Sequence, residues 1–131
     1  MPLELLLVRG EEVLHRLPLV EQAPLPPPMD ELELGRLADI YALAANRRRL
    51  RVMFELARGT EMRFSDVMQM VTNPKLARDC LQPLLKEGLV LHGERGTTYR
   101  ASRRGVALGL AMTLGVGRIL EALDEDLEAG H

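Results

Sequence analysis

Tryptophan is absent from this chain, and two Phe and two Tyr are its only large aromatic rings. Its apolar share is nonetheless 47%, so the core has to be aliphatic, filled by Leu, Val, Met and Ala. Cysteine is nearly missing as well. Cys80 alone cannot form an intramolecular disulfide or a multi-cysteine metal site, and it reads as a buried structural thiol that demands no oxidising compartment. His15, His92 and His131 are scattered, which leaves no tetrahedral ligand set, and His92 reads as a surface residue. Nor does the chain hold a glycine-rich phosphate loop or a nucleophile elbow. Asp124, Glu125, Asp126 and Glu128 read as a solvated helix end rather than a catalytic carboxylate pair. The expectation is a protein with no enzymatic activity, cofactor or metal.

A signal-peptide layout is lacking too, since Glu4 precedes the apolar LLLV and no small-residue cleavage site follows. The longest apolar stretch, GVALGLAMTLGVG, is bounded by arginines and reads as too short to span a bilayer. A cytoplasmic protein without membrane contact is expected.

What the chain does have is a charge asymmetry hidden beneath its net charge of −2. Residues 46–104 carry thirteen Lys and Arg against six Asp and Glu, a net +7, whereas residues 1–45 carry −5 and residues 105–131 carry −4. Concentrated positive charge of this kind is the electrostatic footprint of a nucleic-acid surface. The length, 131 residues, suits one domain with an arm or a terminal helix rather than two full cores.

From the amino terminus, Gly10 divides two short apolar runs and Pro18 closes the second. A hairpin from about Leu3 to Leu17 is the preferred reading, with an amphipathic helix broken at Gly10 as the alternative. The following APLPPP cannot be helical and predicts a stiff extended connection. From Met29 the period is helical, with Leu34, Leu37, Ala38, Ile40, Tyr41 and Ala44 on one apolar face and Asp30 or a neighbour as cap. Asn46 is a second cap, opening a helix that ends at Gly59 and turns Leu50, Met53, Phe54 and Ala57 to the core. Its arginines, Arg47, Arg48, Arg49 and Arg51, are either a solvated helix start or phosphate contacts, because positive charge at a helix amino terminus opposes the dipole and is better tolerated beside an anion.

EMRF is a candidate short strand, and Ser65 is expected to cap a short helix that buries Val67, Met68 and Val71 and exposes Asp66 and Gln69. The next helix has clear punctuation: Asn73 caps it, Pro74 fits its first position, and Gly88 stands just past its end. Leu76, Ala77, Cys80, Leu81, Leu84 and Leu85 form its packing face, and Lys75, Arg78, Asp79, Gln82 and Lys86 its polar face. Pro83 should bend this helix or mark an earlier end; one bent helix is preferred because Leu84 and Leu85 continue the face. LVLHGE and TTYRA then read as a two-stranded ribbon turning at Glu94, Arg95 and Gly96, with Arg95 and Arg100 able to reach a phosphate backbone.

Ser102 caps a last helix whose apolar surface exceeds what so small a domain needs. Gly105, Gly109 and Gly115 each weaken that helix by about 1 kcal/mol relative to Ala. Close approach of a second copy is the expected compensation, giving a two-fold dimer built from this helix and the Met29–Ala45 helix. The alternative is a helix that covers its own domain.

The order of these pieces resembles the winged helix-turn-helix transcriptional regulators of the ArsR, MarR and HxlR type. AANRRRLRVMFELARG is similar to the second helix of ArsR-like domains, and MRFSDVMQMV to the strand and short helix that precede recognition. LQPLLKEGLV is similar to the helix end leading into the wing, and YRASRRGVAL to the strand-to-helix segment after it. The likeness covers about Leu34 to Leu120; the paired Cys or His ligands of the metal-sensing branch are missing, and the proline-rich arm lies outside the pattern. The resemblance implies a mostly α fold with a small β-ribbon, a winged helix-turn-helix; together with the residue reading it divides the chain into an arm and linker over 1–28, a winged-helix domain over 29–104 and a dimerisation helix over 105–131. It also implies a homodimer reading double-stranded DNA, with helix 74–87 in the major groove and the wing, 89–101, on the backbone. The residues expected at DNA are Arg47, Arg48, Lys75, Arg78, Gln82, Lys86, Arg95 and Arg100; Arg and Lys can donate to guanine and Gln can pair with adenine. The competing expectation is the same scaffold acting as a protein-interaction module of a larger assembly, which the acidic termini and apolar arm suit.

Overall fold

A computed structural model describes residues 3–19, 27–93 and 96–129. Most of the proline-rich linker, Arg95 at the ribbon tip and His131 lie outside the described residues. The chain is mostly helical with two small antiparallel sheets, and it divides into two compact units, Met1–Glu33 and Leu34–His131.

In the first unit β1 (Glu4–Arg9) pairs with β2 (Glu12–Pro18). The hairpin reading holds over the broken helix because Gly10 adopts φ +61°, the left-handed conformation that a tight turn needs and glycine supplies without a Cβ clash. Leu5 faces Leu17 and Leu7 faces His15 across one side, while Leu6 faces Arg16 across the other, with a bulge after Leu7. An Arg16–Glu4 ion pair at 2.9 Å ties the strands together.

The helix α1 (Glu31–Ala44) starts where Asp30 Oδ1 accepts from the Glu33 N–H at 2.7 Å. α2 (Arg47–Ala57) is capped by Asn46, whose Oδ1 accepts from the Arg49 N–H at 3.1 Å, and the chain leaves it through Gly59 at φ +93°. β3 (Met62–Arg63) leads into α3 (Phe64–Val71), and α4 (Pro74–Lys86) follows after Thr72, held at φ +76°. β4 (Val90–His92) and β5 (Thr98–Ala101) form the ribbon, and β3 joins its far edge to give the order β3-β5-β4. The last helix runs as α5 (Arg103–Leu110), one π-helical turn (Ala111–Gly115) and α6 (Val116–Ala129). At the π turn Thr113 Oγ1 donates to the Gly109 carbonyl at 2.6 Å.

The core lies among α2, α3, α4 and the base of the ribbon, where Val52, Leu56, Val67, Val71, Leu81 and Leu84 are sealed from solvent. It is aliphatic, as the composition requires. Several expectations change. α1 buries only Leu43 among the described residues; Leu34 is 45% exposed and Tyr41 60%, so its apolar face is open rather than packed. In α2 the deepest positions are Val52 and Leu56, with Leu50 and Phe54 only half-buried. Ser65 is not a cap: α3 begins at Phe64 with Arg63 at the cap position, two residues earlier, and Asp66 takes the capping role by accepting from the Arg63 N–H at 2.9 Å. Asp66 is accordingly half-buried rather than exposed.

Two of the three glycines of the last helix are explained within the chain. A Cβ on Gly105 would run into the Leu89 carbonyl, and one on Gly109 would sit 2.9 Å from Ala57 Cβ and 3.2 Å from the Met53 carbonyl oxygen. These glycines let α5 lie directly on α2 and the Leu89 backbone. The apolar run also proves longer than its flanking arginines suggest, because the helix continues past Arg118. The helix Arg103–Glu125, 23 residues long with an 18-residue window of mean hydropathy 1.6, is long and apolar enough by length and composition alone to cross a membrane.

Candidate nucleic-acid interface

α4 is built as its sequence demands. Asn73 Oδ1 accepts from the Leu76 N–H at 2.8 Å, Pro74 opens the first turn, and Gly88 closes the end at φ +72°. At about 100° per residue, Lys75, Arg78, Asp79, Gln82 and Lys86 fall within one arc of about 100°. All five are exposed, whereas Ala77, Cys80, Leu81 and Leu84 on the opposite side are buried. Packing the apolar side fixes the direction of the polar side, so the helix can move little about its axis without exposing core.

The start of α2 comes up beside this helix. A cavity of about 480 Å³ is lined by Arg48 and Arg49 from α2 and by Leu76, Asp79, Cys80, Gln82 and Pro83 from α4. A second, of about 690 Å³, brings Gln82 and Lys86 together with Leu43. Among the predicted site residues, the structure therefore gathers Arg48 with Gln82, and Gln82 with Lys86. Arg47 stands exposed on the same first turn of α2, and Lys75 and Arg78 continue the exposed arc of α4.

The ribbon offers a second basic surface. Register places Met62, Tyr99 and His92 in one row, in which Met62 and Tyr99 pack on the core and His92 stays exposed as expected, and Arg63 and Thr98 in the next row facing away. Arg100 and Leu91 share that outer face. The outer face thus carries Arg63 and Arg100, with Glu61 accepting a hydrogen bond from Thr98 between them. Arg63 escapes sequence reading because a two-residue strand shows no alternation. Its guanidinium lies 3.8 Å from Asp66, a loose pair. Arg95 lies outside the described residues.

Of the cations expected at DNA, Arg47, Arg48, Lys75, Arg78, Lys86 and Arg100 have no ion pair with a carboxylate among the described residues. They are solvated charges whose neutralisation by a partner breaks no internal bond. Cys80 contributes no reactivity. Burial pushes its thiol pKa up, against the lowering pull of Arg49 and Arg48 and with a smaller push from Asp79, so it stays protonated. Among the described residues no three His, Cys, Asp or Glu side chains gather as a metal site.

Arg49, read from the sequence with Arg47, Arg48 and Arg51 as either a solvated helix start or a phosphate contact, departs from the other three. It is half-buried, and its two terminal nitrogens donate to the Leu43 carbonyl at 3.3 Å and the Asp79 carbonyl at 3.2 Å. Compared with protein-family models and with curated proteins, the chain matches none of them.

Proposed function

We propose that this chain is a winged helix-turn-helix protein that binds double-stranded DNA as a homodimer, a transcriptional regulator of the cytoplasm. The observation that carries the reading is α4, one side sealed into the core and the other offering Lys75, Arg78, Gln82 and Lys86 to solvent with no carboxylate partner among the described residues. In this reading α4 enters the major groove, where Arg78 and Gln82 meet base edges. Arg47 and Arg48 take the phosphates beside it, and Arg100, joined by Arg63, lies along the backbone. Local sequence likeness adds the regulatory role.

Self-association is supported by apolar side chains that α1 and α6 leave open, Leu34 and Tyr41 on one and Leu120 and Leu123 on the other. The soluble reading of the last helix rests on its first half, where Gly105 and Gly109 seat α5 against backbone of its own domain. A helix lifted into lipid would give up that seat.

Duplex affinity against salt tests the proposal. With mixed-sequence DNA as probe, a dimer contacting six to ten phosphates loses about a thousandfold in affinity or more between about 50 and 200 mM salt. Replacing Arg100 by Ala lowers affinity alike for all sequences, and replacing Arg78 also changes preference among them. No duplex binding at low salt would refute the reading. The protein-interaction alternative is favoured by one observation, the Leu5, Leu7 and Leu17 side chains exposed on the hairpin. Recovery of a stable protein complex together with absent DNA retention would select it.

A further inference from the structure

Pro83 sits inside α4 and has no N–H to give, and the carbonyl four residues earlier belongs to Asp79. In an uninterrupted helix that oxygen would accept from residue 83. Here the Arg49 guanidinium supplies the donor, Nη2 to Asp79 O at 3.2 Å. The Nη1 of the same group donates to Leu43 O at 3.3 Å. Leu43 lies in the last turn of α1, where the closing carbonyls have no intrahelical donor. Arg49 is itself held at its base, since its backbone N–H is the one that Asn46 caps, and its Nε is shut away from solvent without a partner. One side chain from the first turn of α2 thereby closes gaps in the backbone bonding of two other helices.

We infer that Arg49 is a positioning residue that sets the pose of α4 against the end of α1 and the start of α2, while its neighbours Arg47 and Arg48 are left to meet phosphate. An arginine serving phosphate keeps its guanidinium in solvent. Arg47, Arg48 and Arg51 are exposed, and Arg49 alone of the four is half-buried. The planar fork matters, because a lysine ammonium on one flexible stem is a point charge that does not bridge two fixed carbonyls in the same way. The inference deepens the reading of α4 as the DNA-reading helix and rests on it for its binding arm; the folding arm is independent.

The folding arm is a double-mutant cycle on the full chain, with Arg49→Ala, Pro83→Ala and the pair followed by urea unfolding. Arg49→Ala lowers the folding equilibrium constant about tenfold or more. Pro83→Ala restores an N–H for the Asp79 carbonyl, so in that background the loss from Arg49→Ala shrinks by at least about threefold. Simple additivity overturns the inference. In the binding arm, with random-sequence duplex as probe, Arg49→Ala weakens affinity but leaves the slope of log K against log salt unchanged, whereas Arg48→Ala lowers that slope by about one. Arg49→Lys keeps the charge and does not restore affinity. If Arg49→Ala instead reduces the slope by about one and leaves folding untouched, Arg49 is a phosphate contact and the inference is wrong. A wild-type chain that binds no duplex removes the DNA reading, and the folding cycle then decides the role of Arg49 alone.

Discussion

Replacing Gly105 by Ala discriminates between two reasons for glycine in the last helix, a seat on its own domain and contact with another molecule. In a free helix the change would stabilise by about 1 kcal/mol. At this position the added methyl overlaps the Leu89 carbonyl, a backbone group that cannot rotate aside. Relief requires α5 to lift from the Gly88–Val90 segment. That movement stretches the bond from the Ser102 N–H to Leu89 O, now 3.0 Å, and the bond from Ser102 Oγ to Gly88 O, now 2.6 Å. Two weakened bonds at about 1 kcal/mol each and overpacking of about 1–3 kcal/mol outweigh the propensity gain of about 1 kcal/mol, for a net loss of about 2–4 kcal/mol. Gly117 is the control. No atom lies within 4 Å of a Cβ placed there, so Gly117→Ala stabilises a lone chain by about 1 kcal/mol. Urea unfolding followed by circular dichroism, at low and high protein concentration, measures both. A Gly105→Ala chain that unfolds at or above the wild-type midpoint refutes the reasoning, and a Gly117→Ala loss seen only at high concentration reveals a neighbouring helix at that site.

Three further outcomes follow from the local chemistry. Cys80 resists thiol reagents in the folded chain and reacts on denaturation, since it is buried and its pKa is held up mainly by burial. Because the unfolded chain gives up that proton first, the stability Cys80 contributes is complete below the unfolded thiol pKa. It falls as pH climbs from there towards the raised folded value, and unfolding titrations of Cys80→Ala lack this decline. Asn73→Ala destabilises by about 1 kcal/mol through loss of the cap on the Leu76 N–H, measurable by thermal unfolding, while Ser65→Ala leaves stability near wild type because Asp66 does the capping.

How much of this was legible in the residues depends on the range of the forces involved. α4 and the ribbon were readable because their determinants are local: Asn73 and Pro74 start the helix, Gly88 ends it, and period separates Leu81 and Leu84 from Arg78 and Gln82. The α2 boundaries were readable for the same reason, through Asn46 and Gly59. Burial along α1 was not, because an apolar stripe marks a face able to pack and does not say whether anything covers it. Ser65 misled since two good capping residues, Ser65 and Asp66, stand side by side, and backbone geometry chose the carboxylate. The cost of Gly105 and Gly109 was visible, but the atoms they approach, Leu89 and Met53, are distant in sequence. The candidate site was legible for Lys75, Arg78, Gln82, Lys86 and Arg100 as exposed cations and amide. Arg63 and Arg49 were hidden, one by a strand too short to alternate, the other because a proline announces an open carbonyl and not the group that fills it.

The π-helical turn has a steering effect. A widened turn absorbs one extra residue, so everything beyond it is rotated back by about 100° compared with an unbroken α-helix. Counted straight through, Val116, Leu120 and Leu123 would extend the row of Gly109 along the helix. With the turn in place they swing aside and stay open to solvent. Removing a single residue between Ala111 and Gly115 would bring the leucines round into line with the glycines, leaving the molecule with one continuous stripe where it now has two differently aimed ones.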